Sequence, residues 1–173
     1  PTLSTIASGF GSMMTSIGLP IALGVILGQL MSDTGMAQKI ATTLVHAVPP
    51  KYVTWALAGA GFLLAIPVFF DITFIILVPI GIAVAKEIYK PMAYVSTALI
   101  IGDVIAQTYI PPTPNPLAAP DILGYNLGTQ LVVGIVLGVI VLIPAMLITS
   151  KALKAGLFND AKDINHEADP LHD

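Results

Sequence analysis

The sequence predicts an all-α membrane protein whose transmembrane helices are joined by a re-entrant helical hairpin and a proline-broken helix. Three observations predict it. Of the 173 residues, 55% are hydrophobic and 10% charged, with a mean hydropathy of +0.89, against roughly 25% charged in an ordinary soluble domain. The charges cluster at the ends of apolar runs, so the surface between them suits lipid and not water. Two of those runs are interrupted at mid-length, one by Pro67 and Asp71 and the other by four prolines between 111 and 116.

Several classes of protein are excluded at once. The formal net charge is −3 and all seven basic residues are lysines, which gives no basic footprint and none of arginine's bidentate base or phosphate contacts, so no nucleic-acid partner is expected. There is no cysteine, hence no disulfide framework and no thiolate site. No Gly-rich phosphate loop, nucleophile elbow or histidine pair of metal-ligand spacing occurs, so no cofactor, metal or catalytic group is expected. His46 falls on the wet face of a surface helix, and His166 and His172 fall in the polar tail. The chain opens at Pro1 without a basic leader, and reads as an excised piece and not as a signal peptide.

The first span covers about 12–31, close to the ~20 residues that cross ~30 Å of hydrocarbon, and its Gly24 and Gly28 sit four apart, a spacing that lets another helix approach. Ser32, Asp33 and Thr34 offer capping oxygens before an interfacial helix at 35–48, with Met36, Ile40, Leu44 and Ala47 on one face and Gln38, Lys39, Thr42 and His46 on the other. Pro49 and Pro50 end it. Residues 53–85 form an apolar stretch broken around Pro67 to Asp71. Its two arms of about 14 residues would each reach only ~21 Å, short of a crossing, so the stretch is predicted to fold as a hairpin with its tip inside the bilayer. Two short tilted crossings are the competing reading. Tyr52 and Trp55 beside Lys51 look like interfacial anchors.

From Pro91 a helix runs to about Tyr109 and meets Ile110-Pro111-Pro112-Thr113-Pro114-Asn115-Pro116, which no continuous helix tolerates. Apolar character resumes at Leu117, giving a discontinuous helix over 92–123. A last span covers 131–150 and again carries glycines four apart, Gly134 and Gly138. Residues 151–173 read as a polar cytoplasmic tail or loop. Lysines at 39 and 51, 86 and 90, and 151 and 154 bracket the spans, while 121–129 has none, so the three basic loops are placed in the cytoplasm and the chain in the cytoplasmic membrane as a multi-pass protein.

Asp71 and Asp103 are the acids deep inside apolar stretches, where a carboxylate costs a few kcal/mol on insertion scales. A cost of that size points to a proton or cation site, and the bland alternative is that each acid merely holds a break in place. Around the prolines, freed amides and half-helix ends suit an anion or a coupling ion. Thr113 and Asn115 could add directed hydrogen bonds, with Gln107 and Thr108 lining the approach and Phe70 beside Asp71; a rigid kink without a ligand is the alternative there.

Gly9-Phe10-Gly11 with Ile17-Gly18-Leu19, the run Asp33 to Ala41, Phe69-Phe70-Asp71 followed by Pro79, and Pro111 to Pro116 together resemble the gluconate permease family of the ion transporter superfamily, in its order and spacing. The resemblance covers nearly the whole chain and implies about half of a full-length permease, one repeat of an inverted-repeat transporter. It implies proton-coupled uptake of gluconate or a related hydroxy or sugar acid. A sodium-coupled carrier of another organic anion or an amino acid is the alternative. The partners implied are that small organic anion, a proton or sodium ion, membrane lipid, the remainder of the permease and, as an open possibility, a second copy in a homodimer. The family typically has histidines where this sequence has Thr113 and Gln107, so no histidine role carries over and Asp71 becomes the preferred titrating group. Paired acids also echo an intramembrane aspartyl protease, but a glycine two residues before Gly102 is missing and Pro116-Leu117-Ala118 is not that family's Pro-Ala-Leu.

Overall fold

The computed structural model describes residues 2–156; the tail expected over 151–173 therefore lies outside the described residues from 157 onward, with His166 and His172. Among the described residues the regular structure is all helical. A helical run of 32 residues opens the chain: α1 (Thr2–Met13), a π turn (Met14–Gly18) and α2 (Leu19–Asp33). It begins ten residues before the expected 12. The hydroxyls there donate to their own helix, Ser8 to the Thr5 carbonyl at 3.1 Å and Thr15 to Gly11 at 2.9 Å, so they do not interrupt it. The π turn stands immediately ahead of Pro20, which has no N–H to return to the preceding turn.

Gly35, at φ 69° in the left-handed region that favours glycine, separates α2 from α3 (Met36–His46). The expected capping oxygens do not cap α3. Thr34 donates instead to the Leu30 carbonyl at 2.7 Å, and Asp33 accepts from Gln29 at 2.8 Å, so both close α2. The buried stripe of α3 is Ala37, Ala41 and Val45, with Ile40 and Leu44 beside it and Met36 exposed. This is rotated from the expected face, because small residues allow closer packing than Met36 would.

After a 3-10 turn (Pro50–Tyr52) come α4 (Val53–Leu64) and α5 (Phe70–Glu87), then α6 (Met92–Tyr109), α7 (Pro114–Leu123) and α8 (Leu127–Lys154). α8 starts one turn before the expected 131, where the Asn126 side chain accepts from the Gly128 amide at 2.6 Å. Among the described residues three runs are long and apolar enough to cross a membrane: Thr2–Asp33, Met92–Pro120 and Leu127–Lys154. α4 and α5, roughly 18 and 27 Å long at 1.5 Å per residue, are not among them.

α6 is the hub, packed on α4, α5 and α8. Gln107 reaches Ala65 and Val68 while Gly61 faces Leu99, so α4 and α6 run in the same sense. Gly81 of α5 faces Val95 and Leu99, whereas Phe70 stands by Gln107, so α5 runs the other way. α4 and α5 are thus antiparallel about the break at 65–69. The core between them holds Leu57, Leu64, Leu77, Val95 and Leu99. By contrast α1 buries nothing, and Leu3, Ile6, Val132 and Ile148 are among many apolar side chains left bare on the two long outer helices. Faces of that extent call for lipid or further protein.

Both breaks are seated on glycines. A Cβ on Gly28 would lie 3.0 Å from the Pro67 carbonyl oxygen, and one on Gly24 would lie 2.9 Å from the Pro112 ring. From the other side, a Cβ on Gly134 would overlap the Tyr109 carbonyl oxygen. The spacing of four that serves helix approach here serves the approach of irregular backbone.

α5 ends in a Schellman turn, the Lys90 amide donating to the Ala85 carbonyl at 3.1 Å, with Tyr89 at φ 51° where glycine is usual. Two outcomes follow for the full-length protein. Gly134→Leu should lower thermal stability by at least the 1–3 kcal/mol typical of overpacking, or prevent folding; a melting temperature equal to wild type would contradict the seating. Tyr89→Gly should be neutral or raise stability by about 1 kcal/mol through relief of left-handed strain, checked by the same melt.

Candidate functional site

The two breaks open onto one cavity of about 290 Å³, lined by Phe70, Val104, Gln107, Thr108, Thr113, Pro114 and Asn115. That size lies near the lower end of the ~300–1,000 Å³ usual for small-molecule sites. Phe70 comes from the first turn of α5, just past the break at 65–69. Val104, Gln107 and Thr108 come from the last two turns of α6, and Thr113, Pro114 and Asn115 from the break at 110–113 and the start of α7. Of the seven residues singled out from the sequence, five therefore meet here. Asp71 and Asp103 are not in the lining.

Asp71 is exposed in the first turn of α5, where the helix dipole favours a negative charge. Asp103 is the opposite case. It is 2% exposed in the middle of α6, and neither carboxylate oxygen makes a hydrogen bond among the described residues. A buried acid without partners is costly in any apolar setting, so this position stands out from the satisfied groups around it.

Gln107 and Thr113 are engaged in holding the breaks. The Gln107 side-chain amide donates to the Val68 carbonyl at 3.0 Å, which the Thr73 hydroxyl also approaches at 3.4 Å. The Thr113 hydroxyl donates at 2.7 Å to the Gln107 carbonyl and at 2.9 Å to that of Ile110. Carbonyls that the helices release are thus met by side chains from a neighbouring helix or the next turn, as buried backbone requires. What stays open to the cavity is the Gln107 amide oxygen, the Thr108 hydroxyl oxygen, whose proton goes to the Val104 carbonyl at 2.7 Å, and the exposed Asn115 side chain.

The helix starts differ in what they present. α5 begins with the amides of Phe70, Asp71 and Ile72, none of which has a partner within the helix, the first helical bond being Thr73 to Phe69 at 2.9 Å. In α7, Pro114 and Pro116 have no N–H and the Leu117 amide bonds to Thr113 at 3.2 Å, which leaves Asn115 as its single free amide.

Sequence reasoning missed Gln130. From the first turn of α8 it donates to the Tyr109 carbonyl at 3.0 Å, while its own oxygen accepts from the Tyr125 hydroxyl. A glutamine opening a strongly apolar helix was the available signal.

A family model described as GntP family permease matches residues 1–171. Among curated proteins, the chain is 35% identical over 164 residues to the Gnt-II system L-idonate transporter of Escherichia coli K12, which covers 91% of this chain and 37% of the relative. It is 33% identical over 164 residues to the gluconate permease of Bacillus subtilis 168, covering 94% and 37% respectively. To the gluconate permease of Pseudomonas aeruginosa it is 36% identical over 128 residues, covering 74% and 28%. The chain thus spans roughly a third of the length of these relatives. No solved structure matches it.

Replacing Gln130 by Leu should strip the Tyr109 carbonyl of its donor and lower stability by about 1–3 kcal/mol, read as a denaturation midpoint. Gln107→Leu should cost as much and also distort the cavity. A Gln130→Leu protein as stable as wild type would show that the carbonyl finds another donor.

Proposed function

Since the chain belongs to the GntP family of permeases, we propose that it builds part of a proton-coupled carrier for gluconate or a related small hydroxy or sugar acid. The observation that carries this reading is the single cavity onto which both breaks open. Its polar groups sit where a membrane protein would otherwise be dry, and irregular backbone at bilayer depth is tolerated only against protein or a wet cavity.

In this reading α4 and α5 form a hairpin that enters and leaves the bilayer on one side, α6 and α7 form the discontinuous helix, and the chain is one repeat of an inverted pair. The ends carrying Lys51, Lys90 and Lys154 face the cytoplasm. The substrate carboxylate lies at the start of α5, where free amides and the helix dipole favour an anion. Its hydroxyls meet the Gln107 oxygen, the Thr108 oxygen and the Asn115 side chain. The known chemistry of hydroxy acids fits this mix, since they carry one charge and several donors.

Asp71 shares the α5 terminus with the substrate. Two negative groups at one helix end repel, so neutralising Asp71 with a proton makes room for the substrate anion. Coupling follows from that exclusion. Asp103, one helix inward and without a hydrogen-bond partner among the described residues, is the second carboxylate on the proton's route.

Uptake into proteoliposomes by the full-length protein, tested with gluconate, other sugar acids and D-serine, should saturate and should follow an imposed pH gradient; a sodium gradient alone should not drive it. Asp71→Asn should reduce proton-driven accumulation by at least about tenfold while leaving exchange partly intact, as expected for loss of one proton-transfer group. Unchanged accumulation in that variant removes Asp71 from the mechanism, and sodium-driven uptake would overturn the proton assignment.

A further inference from the structure

A second polar cavity lies at the opposite end of the bundle, away from the breaks. It holds about 190 Å³ and is lined by Lys51, Thr54, Trp55, Lys90, Tyr94 and Lys154, with Leu147 and Ser150 of α8 completing it. The three lysines arrive from three separate places in the chain: the turn before α4, the Schellman turn after α5, and the last turn of α8. None has a carboxylate within ion-pair distance among the described residues, although Glu87 is exposed one turn before Lys90. Two of the ammonium groups rest on aromatic faces instead, Lys51 at 4.7 Å from the Tyr52 ring and Lys90 at 5.8 Å from the Tyr94 ring. Such contacts hold a cation in place without neutralising it.

A second observation points the same way. Thr54 lines this cavity, is only 9% exposed, and its hydroxyl makes no hydrogen bond among the described residues. A buried hydroxyl without a partner is expensive, and beside three unneutralised cations the group that would satisfy it is an anionic oxygen. The volume suits a phosphate group with its waters and is small for a drug-sized ligand. Leu147, on the rim, is 49% exposed, and Ile148 next to it is 67% exposed, so exposed apolar surface of α8 adjoins the cavity.

We propose that this cavity is a phosphate-group site, filled in the membrane by the headgroup of an anionic phospholipid whose acyl chains lie along the exposed face of α8. The lysines supply charge, Thr54 donates to a phosphate oxygen, and Trp55 and Tyr94 wall the headgroup on the apolar side. Basic clefts between helices at the membrane surface are suited to such headgroups. This assignment does not depend on which solute the protein carries.

The test uses the delipidated full-length protein and native mass spectrometry with added phosphatidylglycerol, phosphatidylcholine or inorganic phosphate. Wild type should retain phosphatidylglycerol in preference to phosphatidylcholine. Retention should fall with rising salt and should be roughly 100-fold weaker in the triple Lys51→Gln, Lys90→Gln, Lys154→Gln variant, as three lysines near the surface imply. Thr54→Val, nearly equal in size, should weaken it with the lysines intact, which keeps the proposal open to test if the triple variant fails to fold. Lys39→Gln, on α3 and outside the cavity, should bind as wild type does. Inorganic phosphate that displaces the lipid from wild type at millimolar concentration would support the phosphate site with a soluble occupant. Equal retention of both lipids, or retention unchanged in both the triple variant and Thr54→Val, would overturn it.

Discussion

Carbonyl groups released from helical geometry inside an apolar bundle have no water to turn to, and the described residues are arranged around meeting that demand twice. At 65–69 the Val68 carbonyl is met by Gln107 and Thr73, and at 110–113 Thr113 and Gln130 meet the Ile110 and Tyr109 carbonyls. Each unmet group would cost about 1–3 kcal/mol, a large share of the 5–15 kcal/mol that separates folded from unfolded states in ordinary domains. Side chains alone do not suffice, because bulky neighbours would hold the irregular strands apart. Gly24, Gly28 and Gly134 remove that obstacle, so the polar braces and the apolar seats are two halves of one solution.

The same arrangement explains why α6 is central. It carries Gln107 and Asp103, ends at the second break and packs on three other helices. Gly61 and Gly102 bring it so close to α4 that added side chains would meet backbone. A helix held this tightly fixes the distance between the breaks, and the cavity they share inherits that rigidity. Gln107 consequently serves in two capacities: its nitrogen braces the break at 65–69 while its oxygen is left for whatever enters the cavity. A side chain with donor and acceptor at one tip suits such a post, which neither Glu nor Leu could fill.

Much of this was legible in the sequence. Apolar length and lysine placement gave an all-helical membrane protein, and the family resemblance is shown by the match over residues 1–171. The prolines at 67, 111 and 112 marked where regular helix stops, since the loss of an N–H is a local event written into one residue. Other features depend on distant partners and left no local mark. The α3 stripe turned toward Ala37, Ala41 and Val45 because of what α4 and α5 offer it, and Ser32 to Thr34 closed one helix where a cap for the next was expected. Gln130 was invisible for the same reason: its importance lies in a carbonyl 21 residues away. The contrast between an exposed Asp71 and a buried Asp103 likewise belongs to packing, because hydropathy around the two acids is alike.

Pro114 and Pro116 leave the start of α7 with one amide, that of Asn115. Its peptide dipoles still sum along the axis, so the partial positive charge of a helix start persists there while the donors that usually accompany it are reduced to one. Two imino acids thus separate the field of a helix end from its usual set of donors at α7, in contrast to the start of α5, which keeps the amides of Phe70, Asp71 and Ile72.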